Sequence, residues 1–146
     1  MLTALRADPA TSAWTFHPPH TVGFRQRRRA LETLVHRWDA EHALGRAPVL
    51  DPELAGEGVA EVLDTMAPRQ VARGRAHPPG SALRLRATDL HASWTYGPGA
   101  PVATLSGPVG HLLLLLWGRV PRAHEVFQWT GDREAGAAVL AGITTP

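Results

Sequence analysis

The segment Thr21–Gly45 reads TVGFRQRRRALETLVHRWDAEHALG and predicts the longest helix of the chain. Its apolar residues recur at steps of three, four and seven positions, which is the period of one helical face. Thr21 suits the start of this helix as an N-cap, and Gly45 with Pro48 suits its end. The apolar stripe consists of Phe24, Leu31, Val35 and Trp38. We therefore expect an amphipathic helix with one packed face.

Glu32 and His36 lie at the edge of this stripe, and their spacing of four residues stacks both side chains on one helical face. They are two donors for a metal ion, whereas a catalytic zinc needs three protein ligands and a structural zinc needs four. The nearest candidates for a third donor are Asp39, one turn on, and His17 and His20 in the preceding loop. The pair is open to three interpretations, namely a solvated pair, metal ligands or the relic of a metal site, and spacing alone favours the first.

The sequence RRRALETLVHRWDAE, residues 27–41, resembles the last helix of the DinB-like N-terminal domain in the mycothiol-dependent maleylpyruvate isomerase family. That helix is typically close to RRxxHETAVHRWDAE, so Leu31 stands where the family has a histidine that is not a ligand. The resemblance implies that Glu32 and His36 are ligands of a divalent metal ion, normally zinc. The family's third ligand is a histidine on an earlier helix of a four-helix bundle, and this chain has no counterpart of that helix.

The length of the chain also indicates that it corresponds to only part of such a protein, because members of that family are considerably longer than 146 residues. Leu2–Arg6 is predicted to be the remnant of an earlier helix. We expect a natural short relative, a split or decayed gene, or a start assigned too late at Met1. The predicted domains are residues 1–47, a partial DinB-like helical segment of one or two helices, and residues 48–146, an α+β C-terminal domain.

Composition narrows the classes of function. The chain has no cysteine, so any metal ion must be held by His, Asp or Glu. All 15 basic residues are arginine, the net charge is only +2, and the one basic cluster, Arg25–Arg29, lacks interleaved aromatic residues. We therefore expect no nucleic-acid partner. The apolar run Leu112–Trp117 is much shorter than the ~20 residues that span a bilayer. With no signal peptide visible, the prediction is a cytoplasmic protein without a membrane segment.

Residues 48–146 change from helical to strand periodicity. Asp51 and Pro52 open a helix that Pro68 should end or kink near Ala67. After the break at residues 78–80, alternation predicts strands. The expected elements are strands at Leu83–Thr88, Ser93–Tyr96, Val102–Ser106 and Val126–Trp129, with helices at Val109–Arg119 and from Gly131 through Leu140. The predicted fold class is α+β, an antiparallel sheet with helices on one face.

Ser106–Arg119, SGPVGHLLLLLWGR, resembles the C-terminal domain of the same family, which is related to sterol-carrier-like folds. The resemblance implies that this domain contributes a basic residue for substrate carboxylates. Arg119 is the position we assign to this catalytic role, since a guanidinium binds carboxylates bidentately.

The implied chemistry uses mycothiol as thiol co-substrate: a metal-activated thiolate adds to a double bond of a small-molecule substrate, which then isomerises or is conjugated. One hypothesis is an enzyme that needs the missing helices from a homodimer or a partner chain. The other is a non-catalytic module that binds a small apolar ligand or a protein and keeps a relic metal site. Because the apolar stripe lacks its bundle partners, we expect it to be exposed and to drive homodimerisation.

Overall fold

The first helix, α1, spans Val22–Ala43 and has the predicted start and end. The hydroxyl of Thr21 accepts a hydrogen bond of 3.3 Å from the backbone N–H of Phe24. At the other end, Gly45 adopts a positive φ of 71°, and its N–H bonds the His42 carbonyl at 2.9 Å. This is a glycine-terminated C-cap that a side chain would strain.

The computed structural model describes residues 6–143, and the chain divides into two units, residues 1–49 and 50–146. The predicted helix remnant at Leu2–Arg6 lies, apart from Arg6, outside the described residues. Contrary to the prediction, the apolar stripe of α1 is not exposed: Phe24, Leu31 and Val35 are buried, and Trp38 is half-buried. Within the first unit, the loop before α1 folds back so that the Phe16 ring meets the Phe24 ring edge-on at 5.3 Å.

The second unit begins with helix α2, Pro52–Glu61, which continues through a π-helical turn, Val62–Met66, into α3, Ala67–Ala72. The Asp51 carboxylate caps α2 by accepting the N–H of Leu54 at 2.9 Å. Pro68 lacks an N–H, and its ring conflicts with the carbonyl four residues earlier. The π turn accommodates it, since the N–H of Ala67 bonds the Val62 carbonyl, five residues back. The helix therefore continues past Pro68.

The four strands form one mixed sheet in the order β2-β1-β3-β4. The α+β class is confirmed, but an antiparallel sheet was the wrong prediction, because β1 pairs parallel to β3. The other two pairings, β1 with β2 and β3 with β4, are antiparallel. The strands are β1, Ala82–Ala87; β2, Ser93–Tyr96; β3, Pro101–Gly107; and β4, Gln128–Gly131.

Gly97 allows β3 to pair with β1 and not with β2, the strand that precedes it in the chain. The chain leaving β2 crosses the start of β1, so that β3 pairs with the far side of β1. Gly97 has a φ of 106°, and a Cβ there would overlap the Ser81 carbonyl oxygen and lie 2.9 Å from Cα of Ala82. Only glycine allows both this conformation and this close approach.

Helices cover one face of the sheet. Along β1, Leu83 and Leu85 are buried whereas Arg84 and Arg86 are exposed. Helix α4, Val109–Leu116, buries every residue from Leu112 to Leu116, and helix α5, Arg133–Ile143, packs on β1 and β3. Within residues 6–143, no helix is both long and apolar enough to cross a membrane.

Candidate functional site

The carboxylate of Glu32 is held by two arginines of its own helix. Its Oε1 lies 3.5 Å from Nη2 of Arg28, and its Oε2 lies 3.3 Å from Nη1 of Arg29. The Glu32 side chain is about one third exposed (31%). A metal ion at this position would therefore compete with two guanidinium groups for the same oxygens.

His36 lies within hydrogen-bonding distance of Asp39 on the same helix. Its Nδ1 lies 3.2 Å from Oδ2 of Asp39, one turn further along α1. When Nδ1 carries the proton and donates to the carboxylate, the lone pair of the imidazole is on Nε2. Metal-binding histidines commonly have this arrangement, in which a carboxylate fixes the tautomer and the ring orientation. Asp39 therefore lies where it can orient the His36 ring.

The two loop histidines that were candidates for a third donor have other partners. Nδ1 of His20 lies 2.8 Å from the Thr15 hydroxyl. Nδ1 of His17 donates to the Pro18 carbonyl at 2.7 Å, and its ring stacks on Phe24 at 6.4 Å. Between residues 6 and 143, no group of three or more His, Asp or Glu side chains could hold a metal ion. The described part of the chain thus supplies at most two donors at Glu32 and His36.

Arg119 lies at the C-terminal end of α4. The backbone reverses at Gly118, whose φ is 69°, and the N–H of Arg119 bonds the Leu114 carbonyl at 2.8 Å. The Arg119 guanidinium donates to the Trp117 carbonyl at 2.6 Å and lies 5.8 Å from the centre of the Trp117 ring. The side chain therefore folds back over the end of its own helix, and its role toward a substrate stays a prediction.

A histidine pair in the second unit was not predicted. The rings of His111, in the first turn of α4, and His124 are 5.6 Å apart. The Asp89 carboxylate caps α4 by accepting the N–H of Val109 at 2.8 Å. Burial lowers the pKa of His111, and the charge of His124 lowers it further, while Asp89 opposes both. These residues are far apart in the sequence, so no local spacing could have indicated the cluster.

Two adjoining pockets of about 370 and 390 Å³ form a groove beside β4. Both are lined by Arg122, Trp129 and Arg133. Within the described residues, neither arginine makes an ion pair. Glu125 lines the first pocket and Glu134 the second, so the groove combines two guanidinium groups and an indole ring with two carboxylates.

Comparisons with known proteins identify the second unit. Residues 53–138 match the model of the MDMPI C-terminal domain, where MDMPI denotes mycothiol-dependent maleylpyruvate isomerase. The match runs from α2 into α5, includes Arg119 and the His111–His124 pair, and does not reach α1. A search of curated proteins finds no significant match. The matched range covers more than half of the 146 residues. The chain therefore belongs to the mycothiol-dependent maleylpyruvate isomerase family through its C-terminal domain.

Proposed function

We propose that this chain takes part in a metal-dependent, mycothiol-using isomerisation or thiol transfer on a small-molecule substrate. Membership in the family supports the general class of activity. The observation that carries the metal-dependent part is the contact of 3.2 Å between His36 Nδ1 and Asp39, one turn from Glu32. A carboxylate in this position supports the proposal, because carboxylates commonly orient the histidines that bind metal ions.

Zinc is the metal we propose, with Glu32 and His36 as two of its ligands. Since no third donor joins them within residues 6–143, we propose that a second copy of the chain or a partner chain provides it on a further helix of the bundle. A bound zinc ion supplies a Lewis acid that favours the thiolate form of a thiol.

Arg119 is the residue we propose for the substrate carboxylate. Its planar guanidinium can bind a carboxylate through two parallel hydrogen bonds. The bond of 2.6 Å to the Trp117 carbonyl would fix the guanidinium at the end of α4, so little side-chain freedom would be lost on binding.

A non-catalytic binding module is the second candidate function. It is favoured by the contacts of Arg28 and Arg29 with Glu32, because these guanidinium groups occupy the oxygens that a metal would use. In that case, Glu32 and His36 would be a relic, and the ligand would bind the second unit alone.

The deciding experiment is zinc content per chain, measured in chelator-free buffer at neutral pH for the wild type, Glu32→Ala and His36→Ala. The matched control is Glu41→Ala, since Glu41 is also a carboxylate on α1 and pairs with Arg37 at 3.6 Å. The proposal predicts about one zinc per chain or per dimer, lost in both site variants and kept in the control. Asp39→Asn should weaken zinc binding about 10- to 100-fold.

Absence of zinc from all four proteins would contradict a site completed by a second copy of the chain and would favour the relic and the binding module. If zinc binds as predicted, isomerisation of maleylpyruvate in the presence of mycothiol tests the catalytic half of the proposal. Arg119→Lys should then retain the zinc and lose substrate affinity, because a lysine cannot bind a carboxylate bidentately.

A further inference from the structure

A cavity of about 600 Å³ opens between α5 and the segment that precedes β1, within the second unit. This volume is in the range of small-molecule sites, about 300–1,000 Å³. Its floor is a set of small or apolar residues of α5, and prolines form part of its wall. The lining includes Ala135, Ala138, Val139, Ala141, Gly142, Pro78 and Pro79.

The cavity is a consequence of the α5 sequence and not of loose packing. The residues of α5 that line it carry no side chain beyond Cβ, with the exception of Val139. A Cβ added at Gly142 would have its nearest neighbour, the His77 carbonyl oxygen, 3.9 Å away. On its other side, α5 already touches the sheet, since a Cβ at Gly136 would lie 2.7 Å from Cβ of Ala103. The helix therefore cannot move toward the sheet to change the cavity.

The polar side chains that line the cavity are those of Arg75, His77, Ser81 and Tyr96, and its lining has no carboxylate. Tyr96 reaches the cavity from β2, and burial raises the pKa of its phenol, so the hydroxyl stays protonated at neutral pH. Arg75 and His77 also line the cavity, and both residues are exposed. Within the described residues, no ion pair involves Arg75. An apolar floor with a phenol donor and one guanidinium group complements a ligand that is apolar at one end and anionic at the other.

We infer that this cavity binds a small aromatic carboxylate, with its ring on the α5 floor near Ala138 and its carboxylate toward Arg75. A flat ring suits a floor made of methyl groups and the faces of two prolines, where a branched ligand would leave gaps. The inference uses the second unit alone and does not rest on the proposed zinc chemistry.

Binding of 2-naphthoate to the full-length chain, followed by calorimetry, tests the inference. Ala138 is exposed, so the larger side chain of Ala138→Leu extends into the cavity without disturbing the core. It should weaken the binding of 2-naphthoate about tenfold, which corresponds to the loss of one to two buried methylene contacts. Ala137→Leu is the matched control, because Ala137 is on the same helix but lines the groove beside β4. The Ala137→Leu variant should bind 2-naphthoate with the same affinity as the wild type.

Two further variants test the orientation of the ligand. Arg75→Gln should weaken 2-naphthoate about threefold, as for an exposed ion pair, and leave the neutral 2-naphthamide unaffected. Tyr96→Phe should weaken both ligands. No saturable binding up to about 1 mM would overturn the inference. Equal affinity of wild type and Ala138→Leu, or an equal effect of Arg75→Gln on both ligands, would overturn the assigned site or the assigned orientation.

Discussion

The contact between α2 and α4 predicts that Gly58→Ala destabilises the wild type but stabilises the variant Leu113→Ala. A Cβ built at Gly58 would lie 2.9 Å from both Cδ atoms of Leu113, a residue with no exposed surface. Overpacking of this kind costs about 1–3 kcal/mol, whereas replacing a helical glycine by alanine gains about 1 kcal/mol. Gly58→Ala should therefore lower the free energy of unfolding by about 1 kcal/mol.

Leu113→Ala alone should lower the free energy of unfolding by about 3–4 kcal/mol, because it leaves a cavity in the core. In that background, the two Cδ atoms that oppose residue 58 are gone. The new methyl group of Gly58→Ala then enters the cavity, which gains about 0.8 kcal/mol in addition to the helix propensity. Gly58→Ala should thus raise the stability of Leu113→Ala by about 1–2 kcal/mol, which gives a coupling energy of about 2–3 kcal/mol.

Urea unfolding of the four proteins of this double-mutant cycle, followed by circular dichroism, measures the coupling energy. Gly110→Ala is the control in α4, since its nearest Cβ neighbour, Cβ of Leu50, is at an ordinary contact distance of 3.5 Å. It should be neutral or stabilising in both backgrounds. If the effects of Gly58→Ala and Leu113→Ala add to within about 0.5 kcal/mol, the two side chains do not meet as described and the reasoning is refuted.

Two other predictions follow from the second unit. Burial holds the pKa of His111 below its usual 6.5, so protonation of His111 opposes folding. The contribution of His111 to the free energy of unfolding is therefore fully present above pH 6.5 and is lost as the pH falls. His111→Gln should lose less stability than the wild type between about pH 8 and pH 5 in urea unfolding; parallel pH profiles would contradict this. Gly97→Ala should lower the melting temperature much more than Gly99→Ala, because both have positive φ but only Gly97 lies against Ser81. Equal shifts in thermal melts would show that the crossing does not need Gly97.

The elements that the sequence predicts well are those specified by neighbouring residues. Thr21 and Gly45 define α1 because a cap is a contact between residues three to four positions apart. The strand at Ser93–Tyr96 has the predicted bounds, since alternation is also a local signal. Local rules likewise locate Pro68, but they cannot tell whether the helix ends there or passes through a π turn, because both accommodate a residue without an N–H donor.

The strand order is not a local property. A glycine-rich connection of this length commonly makes a hairpin, and the sequence gives no sign that residues 97–100 cross β1 instead. What decides the order is the parallel pairing of β1 with β3, in which Leu85 lies beside Leu105 and both are buried on the face that the helices cover. The crossing places the most apolar strand, β3, in the interior of the sheet and leaves the short β2 at the edge.

Helix geometry also limits what α1 can contribute to a metal site. Glu32 and Asp39 are seven residues apart, so they lie on the same side of α1 but about 10.5 Å apart along its axis. Two ligands of one zinc ion bind at about 2.0–2.2 Å each, and the short side chain of Asp39 cannot cover that separation. His36 lies between them, four residues from Glu32 and three from Asp39. Its Nε2 can share a metal ion with Glu32 while its Nδ1 contacts Asp39. A single helix of this kind therefore supplies two ligands and an orienting carboxylate, and a third ligand has to come from another element. For this reason, zinc that survives loss of His36 but not of Glu32 would contradict the proposed site, whereas zinc that binds only to a dimer would support a third ligand from a second copy of the chain.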